Sequence, residues 1–319
     1  MTEKVLITRP LPDRVLEAAK ARFDVTIRED TQPMAQDDVV VALLAYDGLL
    51  PTLGDPLGAE TFAKAGTPRC RMLANFGVGY NHIDVAAATA AGITVSNTPG
   101  AVTDATADIA LTLMLMTARR AGEGERMLRR GDWNGWHPTQ MLGLHMTGKT
   151  VGIVGMGRIG KAIAKRAHSG FGMDVVFHNR SAVDDVGVSA HQLGSLEEVM
   201  ATADIVVIAV PATPETYHLI NKKTLAAMRP TAHLVNIARG DIVDEAALID
   251  ALKSGVIAGA GLDVYEKEPT VPAELLALEN VTLLPHLGTA ALEVREAMGL
   301  MAVENLIAFF DGNDPPNRV

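Results

Sequence analysis

The sequence predicts an α/β protein, with parallel sheets covered by helices and two domains of related build. Three observations predict it. From residue 150 onward, short continuous apolar runs alternate with helical runs, and strands apolar on both faces belong to a parallel sheet buried between helix layers. A glycine-rich turn, Gly155-Met156-Gly157-Arg158-Ile159-Gly160, stands between one such strand and a helix. Residues 1–100 show the same strand–helix alternation, and a chain of 319 residues suits two domains.

Taken in order, 5–8 reads as a strand, 15–23 as a helix and 23–27 as the next strand; 71–75 and 93–96 are two more. Each strand is rich in aliphatic or β-branched residues. Asn97-Thr98-Pro99-Gly100 is a turn signal. A helix starts near 101–103. Over 109–116 it is apolar on nearly every side, as a helix buried between layers must be. It becomes charged over 119–130 and is expected to stop at Gly131. Residues 131–148 read as a loop carrying both tryptophans. Strands are then expected at 150–155, 175–179, 204–210, 233–238, 257–264 and 281–285, with helices between them. Ser195-Leu196-Glu197-Glu198 offers a capping box. Asp244 is the expected N-cap of a helix ending at Lys253-Ser254-Gly255, and the last helix spans 290–310. The expected domains are 1–100 with 288–319, and 101–287. No sequence repeat accompanies the two α/β halves.

Composition narrows the function classes. Hydrophobic residues make up 48% of the chain and aromatics only 4%, so aliphatic side chains and the 14 methionines must fill the cores. A net charge of −10 argues against nucleic acid or an anionic membrane as a partner, since both demand positive surface. A local cationic pocket for a small anion remains compatible with it. One cysteine, Cys70, excludes an intrachain disulfide and fits a reducing cytoplasm. Its place at a strand start reads as a core or edge thiol rather than a nucleophile. No signal-peptide pattern and no membrane-length apolar stretch is present, and a cytoplasmic location is expected. No metal is expected.

The glycine turn has the context that a dinucleotide fingerprint needs. Gly155 allows the tight turn, Gly157 lets backbone approach a pyrophosphate, and Gly160 lets helix and strand pack closely. The phosphates would sit on unpaired N–H groups at the helix N-terminus. Both halves are accordingly expected to be Rossmann-like. About 20 residues past the glycines, NAD sites place an acid on the ribose hydroxyls. Here Asn179 holds that position, followed by Arg180 and Ser181, while Asp174 comes too early. An arginine pairs with a 2′-phosphate that a carboxylate would repel. NADP(H) is therefore the expected cofactor, with NAD(H) the alternative if Arg180 is merely solvated or stacks on adenine.

Three strand ends in the second half carry unusual residues. Arg239 follows one apolar strand, Glu268 lies in the acidic turn after a glycine-rich strand, and Pro285-His286-Leu287-Gly288 ends a third. Ligands of open α/β sheets bind outside the carboxyl ends of the strands. One crevice could therefore collect an arginine, a carboxylate and a histidine. Taken singly, each has an ordinary reading: a solvated arginine, a Glu-Pro turn, a structural histidine. The other eight histidines, among them His82, His137 and His145, lack a comparable setting.

Arg239, Glu268 twenty-nine residues later and His286 eighteen after that resemble the pattern of the D-isomer-specific 2-hydroxyacid dehydrogenase family. The resemblance covers nearly the whole chain. It includes Asn75-Phe76-Gly77-Val78-Gly79-Tyr80-Asn81-His82-Ile83-Asp84, Asn97-Thr98-Pro99-Gly100, Asp104-Ala105-Thr106-Ala107-Asp108, the glycine turn and Pro285-His286-Leu287-Gly288. Within the family, 133–143 is similar to the glyoxylate/hydroxypyruvate reductase branch. The resemblance implies an oxidoreductase acting on a small 2-oxo or 2-hydroxy acid, with its active site in the cleft between the domains and closure excluding water. A homodimer is also implied.

Chemistry and resemblance agree on the catalytic roles. Arg239 offers a planar fork of donors to the carboxylate and ketone oxygens. His286 is the general acid in reduction and the base in oxidation, with Glu268 orienting the ring and favouring its imidazolium form. The resemblance further implies that Val78 and Gly79 give backbone N–H groups to the substrate carboxylate. It places Asp263 on the nicotinamide carboxamide, and Thr106, Val210, Pro211, Ala238 and Gly288 beside the cofactor with Gly155, Gly157, Arg158, Ile159 and Gly160. Trp136 resembles a tryptophan that reaches the partner subunit's substrate pocket; a simple interface anchor is its other reading. Glu268 stands where formate dehydrogenases carry glutamine, which disfavours formate. The regulatory domain of long phosphoglycerate dehydrogenases is not expected after the last helix. The expected reaction is NADPH-dependent reduction of glyoxylate or hydroxypyruvate. Another 2-oxo acid, such as phenylpyruvate or 2-ketogluconate, and a nucleotide-sensing scaffold are the alternatives.

Overall fold

A computed structural model describes residues 2–319. The chain divides into two compact units, one formed by residues up to Val102 with Thr289–Val319, the other by Thr103–Gly288. In order, the elements are β1 (Lys4–Ile7), α1 (Asp13–Lys20), β2 (Asp24–Ile27), α2 (Gln36–Ala45), β3 (Gly48–Leu50), α3 (Ala59–Ala65), β4 (Met72–Ala74), α4 (Val85–Ala90) and β5 (Thr94–Ser96). The second unit contains α5 (Thr103–Ala118), α6 (Ala121–Arg130), β6 (Thr150–Val154), α7 (Arg158–Phe171), β7 (Asp174–His178), β8 (His191–Gln192), α8 (Leu196–Thr202) and β9 (Ile205–Ile208). It continues with α9 (Lys222–Ala226), β10 (His233–Asn236), α10 (Glu245–Lys253), β11 (Gly259–Leu262), α11 (Ala273–Leu276) and β12 (Val281–Leu283). The long α12 (Leu292–Phe310) returns to the first unit, against α1, β3 and β4.

The first unit is a five-stranded parallel sheet in the order β2-β1-β3-β4-β5. Alternation along each strand supplies both covered faces. Val5, Ile7, Leu50 and Met72 pack with Val15, Ala302 and Leu306 of α1 and α12. Leu6, Leu49, Leu73 and Val95 pack on the other side with Leu43, Phe62 and Ala88 of α2, α3 and α4. The second unit holds seven parallel strands in the order β12-β11-β10-β9-β6-β7-β8. The chain winds from β6 outward to β8, then returns to β9 on β6's other side. The reversal between β6 and β9 is the switch point where such sheets take their ligands. The predicted α/β class with helix-covered parallel sheets is the observed one.

Some elements differ from expectation. The helix expected to run to Gly131 is two, α5 and α6, with Arg120 between them in the left-handed region at φ 53°. The break has a tertiary cause. The Ala118 carbonyl accepts the Leu144 N–H at 2.7 Å, so a loop takes the acceptor that a continuing helix would use. Beyond it α6 does end at Gly131, φ 75°. Ser195 caps α8 by accepting the Glu198 N–H at 3.2 Å, but the Glu198 carboxylate reaches one residue further out, to the Gly194 N–H at 2.9 Å. Asp244 caps α10 through the Ala247 N–H. Most strands expected in the second half stop one or two residues earlier than predicted, and the residues left over begin the loops that carry the site. Among the described residues, no helix is long and apolar enough to cross a membrane.

Candidate active site

The glycine turn leaves β6 and opens α7. Gly155 has φ 99°, and a Cβ there would lie 2.7 Å from the Ala209 carbonyl oxygen. A Cβ on Gly160 would overlap the Gly155 carbonyl oxygen. Packing therefore requires both glycines. Gly157 is different: its φ is −78° and a Cβ would meet nothing within 4 Å. As N-cap of α7 it offers no side chain to the helix's first N–H groups. Open space before uncapped donors fits a pyrophosphate. Arg158 is exposed and Ile159 half-buried beside it. Asn179 Oδ1 accepts the Met156 N–H at 3.2 Å, tying the turn to the end of β7. Arg180 is exposed, and Asn179 Nδ2 donates to the Ser181 carbonyl at 3.0 Å. Val210 is half-buried and Pro211 exposed after β9.

Arg239, Glu268 and His286 lie on the loops after β10, β11 and β12, adjacent strands of one sheet. His286 Nδ1 is 2.8 Å from Glu268 Oε2, and Glu268 Oε1 accepts the Tyr265 N–H at 3.1 Å. Burial raises the Glu268 carboxyl. The His286 hydrogen bond and charge, the Tyr265 N–H and the Arg239 charge outweigh it and hold the group below its usual range. Glu268 therefore stays ionised and engages Nδ1, leaving Nε2 for chemistry. Asn236 Nδ2 donates to the Arg239 carbonyl at 2.9 Å, and Arg239 Nη1 to the Ala238 carbonyl at 2.7 Å. Burial lowers the Arg239 pKa, against the Glu268 and Asp241 charges, yet a guanidinium remains protonated.

His286 adopts φ 55°, a left-handed conformation costly for a residue with a Cβ. Asp263 holds it there. The Asp263 carbonyl accepts the His286 N–H at 2.9 Å, and its two carboxylate oxygens accept the Leu287 and Gly288 N–H groups at 2.6 and 2.8 Å. Thr106 Oγ1 closes the same turn on the Gly288 carbonyl at 3.2 Å. Asp263 and Thr106 thus position the histidine loop.

Val78 and Gly79 belong to the other unit, in the loop after β4. Asn75 Nδ2 donates to the Gly77 and Gly79 carbonyls at 3.0 and 3.1 Å, and Asn97 Nδ2 to the Val78 carbonyl at 2.9 Å. With these carbonyls engaged, and the Gly77 N–H given to the Asn75 carbonyl at 3.0 Å, the loop has the Val78 and Gly79 N–H groups left to offer. Trp136 is 79% exposed, in the loop after α6. Burial pushes the Cys70 thiol up to about 12, which removes it from thiolate chemistry. Among the described residues, no group of three or more His, Cys, Asp or Glu side chains could hold a metal ion.

Asn75 and Asn97 stand in motifs that the sequence offered, but their role, holding the carbonyls of the loop after β4, was not read from it. The Tyr265 N–H bond to Glu268 had no sequence signal.

Comparison with known proteins places the chain in a family. Residues 111–288 match the family described as D-isomer specific 2-hydroxyacid dehydrogenase, NAD binding domain. The chain is 44% identical to a glyoxylate reductase of Thermococcus onnurineus and 45% identical to one of Pyrococcus furiosus, covering all of this chain and 96% of each relative. A solved structure of the NADPH-dependent glyoxylate/hydroxypyruvate reductase of Sinorhizobium meliloti, in complex with NADP and malonate, superposes with a TM-score of 0.88 at 36% identity. It covers 100% of this chain and 97% of that one. The chain belongs to the D-isomer-specific 2-hydroxyacid dehydrogenases, oxidoreductases that use a nicotinamide cofactor.

Proposed function

We propose that the protein reduces glyoxylate or hydroxypyruvate to glycolate or D-glycerate, with NADPH preferred over NADH. The observation that carries the reading is the His286–Glu268 pair, 2.8 Å apart and one strand from Arg239. The full-length glyoxylate reductase relatives support the choice of substrate. Asn179, Arg180 and Ser181 support the choice of cofactor, because no carboxylate stands there to repel a 2′-phosphate.

The bound reduced nicotinamide supplies the hydride that the carbonyl carbon accepts. The chain's residues do the rest. Arg239 binds the 2-oxo acid through its fork of donors to the carboxylate and ketone oxygens. His286, protonated at Nε2, gives its proton to the carbonyl oxygen as negative charge develops there. Glu268, kept ionised, stabilises the imidazolium. Gly155, Gly157 and Gly160 with Arg158 and Ile159 would hold the pyrophosphate, and Thr106, Val210, Pro211, Ala238, Asp263 and Gly288 would line the nicotinamide end. The protein acts as a cytoplasmic homodimer, in which Trp136 reaches the substrate pocket of the second copy.

Steady-state rates on a panel of 2-oxo acids with both cofactors test this reading. Glyoxylate or hydroxypyruvate should give the highest kcat/KM, and phenylpyruvate or 2-ketogluconate outrunning both would replace the substrate. Arg239→Ala should cut kcat/KM by roughly 10²-fold or more while cofactor binding is kept. A nucleotide-sensing scaffold would lose little.

A further inference from the structure

Gln192 is one of the two residues of β8, the edge strand beside β7, and pairs in register with Phe177. That register sets its side chain against the segment that follows β7. Gln192 Nε2 donates to the Asn179 carbonyl at 3.2 Å and to the Ser181 carbonyl at 3.0 Å, and its Oε1 accepts the Val183 N–H at 3.0 Å. Asn179 Nδ2 adds a second bond to the Ser181 carbonyl. Two carbonyls of the segment are thus turned onto amide side chains of the protein. Among the described residues, the N–H groups of Arg180 and Ser181 have no acceptor in the chain. Two successive N–H groups without an acceptor, one of them on an exposed arginine, are donors that an anion can take.

We propose that Gln192 is a specificity-determining positioning residue: its three backbone bonds hold 179–183 as a preformed cradle for a ribose 2′-phosphate. The inference rests on the NADPH reading and names what enforces it. An exposed arginine on a loose loop earns little from a phosphate in water, because ordering both groups offsets the attraction. Holding the loop beforehand removes part of that cost. Arg180 also has a competitor in Glu215. The Glu215 carboxyl is held below its usual range first by the Thr213 hydroxyl and also by the Arg180 charge.

The test is calorimetric titration of the full chain with adenosine 2′,5′-bisphosphate and with adenosine 5′-monophosphate, for wild type, Gln192→Ala and Gln192→Glu. Wild type should bind the bisphosphate more tightly. Gln192→Ala should weaken the bisphosphate about ten-fold and leave the monophosphate within about two-fold, the loss expected from one or two hydrogen bonds. Gln192→Glu should lose more, since a carboxylate cannot donate to the two carbonyls and adds a like charge. In turnover, kcat/KM should fall for NADPH and hold for NADH. Equal losses on both nucleotides, or no loss, would overturn the proposal and leave Gln192 as ordinary scaffolding. A wild type that does not prefer the bisphosphate would instead sink the NADPH reading, and the cradle with it.

Discussion

In the proposed reaction His286 and Glu268 divide the proton chemistry. Reduction then requires Glu268 ionised and His286 protonated, and oxidation requires the imidazole neutral. Because His286, the Tyr265 N–H and Arg239 together overcome burial and hold Glu268 below the usual carboxylate range, the acid limb of reduction should lie below that range. Reduction should then fall as pH rises and the imidazolium loses its proton, while oxidation rises over the same interval. Profiles of kcat/KM in both directions check this, and superimposable curves would remove His286 as the proton donor. The glycine turn gives a second prediction from single atoms. Gly157→Ala should leave the melting temperature of the cofactor-free chain unchanged, since a Cβ there meets nothing within 4 Å. It should still weaken dinucleotide binding strongly, because the methyl occupies the pyrophosphate's approach. Gly160→Ala should lower the melting temperature itself, its Cβ overlapping the Gly155 carbonyl. Equal thermal effects of the two substitutions would mean that the open space before α7 has no role in binding.

Among the elements, β10 carries a pH-sensitive weakness at its first residue. His233 is 7% exposed, its Nδ1 has no hydrogen-bond partner, and burial pushes its pKa down to about 4. The folded chain keeps this ring neutral, whereas the unfolded chain protonates it near 6.5. Stability is therefore complete above pH 6.5 and declines as pH falls toward 4. Between pH 6.5 and 5 the loss from this one group should be about 2 kcal/mol. Urea unfolding at both pH values, for wild type and His233→Asn, reads it directly: the variant should lose that much less over the interval, and parallel losses would refute it. Elements also differ in how legible they were. Apart from β8, the strands from β6 onward are short, largely apolar runs, and turn residues between them separate them from the longer apolar run of α5. By contrast, α2 contains Val39-Val40-Val41, a β-branched run that carries no helical signal, and β8 is too short to have a pattern. The break after Ala118 depends on an N–H arriving from Leu144, a tertiary bond invisible to local reading. In the site, Arg239, Glu268 and His286 stood out because each follows an apolar strand. The roles of Asn75, Asn97 and Gln192 did not, because each acts through side-chain bonds to backbone that only the folded loops bring within reach.

At the scale of the whole molecule, acidic charge and sparse aromatics make the exposed apolar side chains around α6 conspicuous. Leu128, Trp133, Trp136 and Leu142 are all exposed within one stretch of the second unit. In the proposed homodimer these side chains would belong to the interface, where two-fold symmetry uses the same patch on both copies. A homodimer in which Trp136 serves the other copy's pocket makes a prediction that no monomer shares. Arg239→Ala disables the subunit that carries it. Trp136→Ala, in this reading, disables the subunit opposite. Mixing the two inactive variants, after reversible dissociation, should therefore create mixed dimers with one intact site: Arg239 from the Trp136→Ala chain and Trp136 from the Arg239→Ala chain. Random pairing of equal amounts should recover roughly a quarter of wild-type turnover. Sedimentation should show both variants still dimeric. Recovery at that level assigns Trp136 to the neighbouring site. Dimers without recovery would make it an interface anchor alone, and monomers at every concentration would remove the dimer.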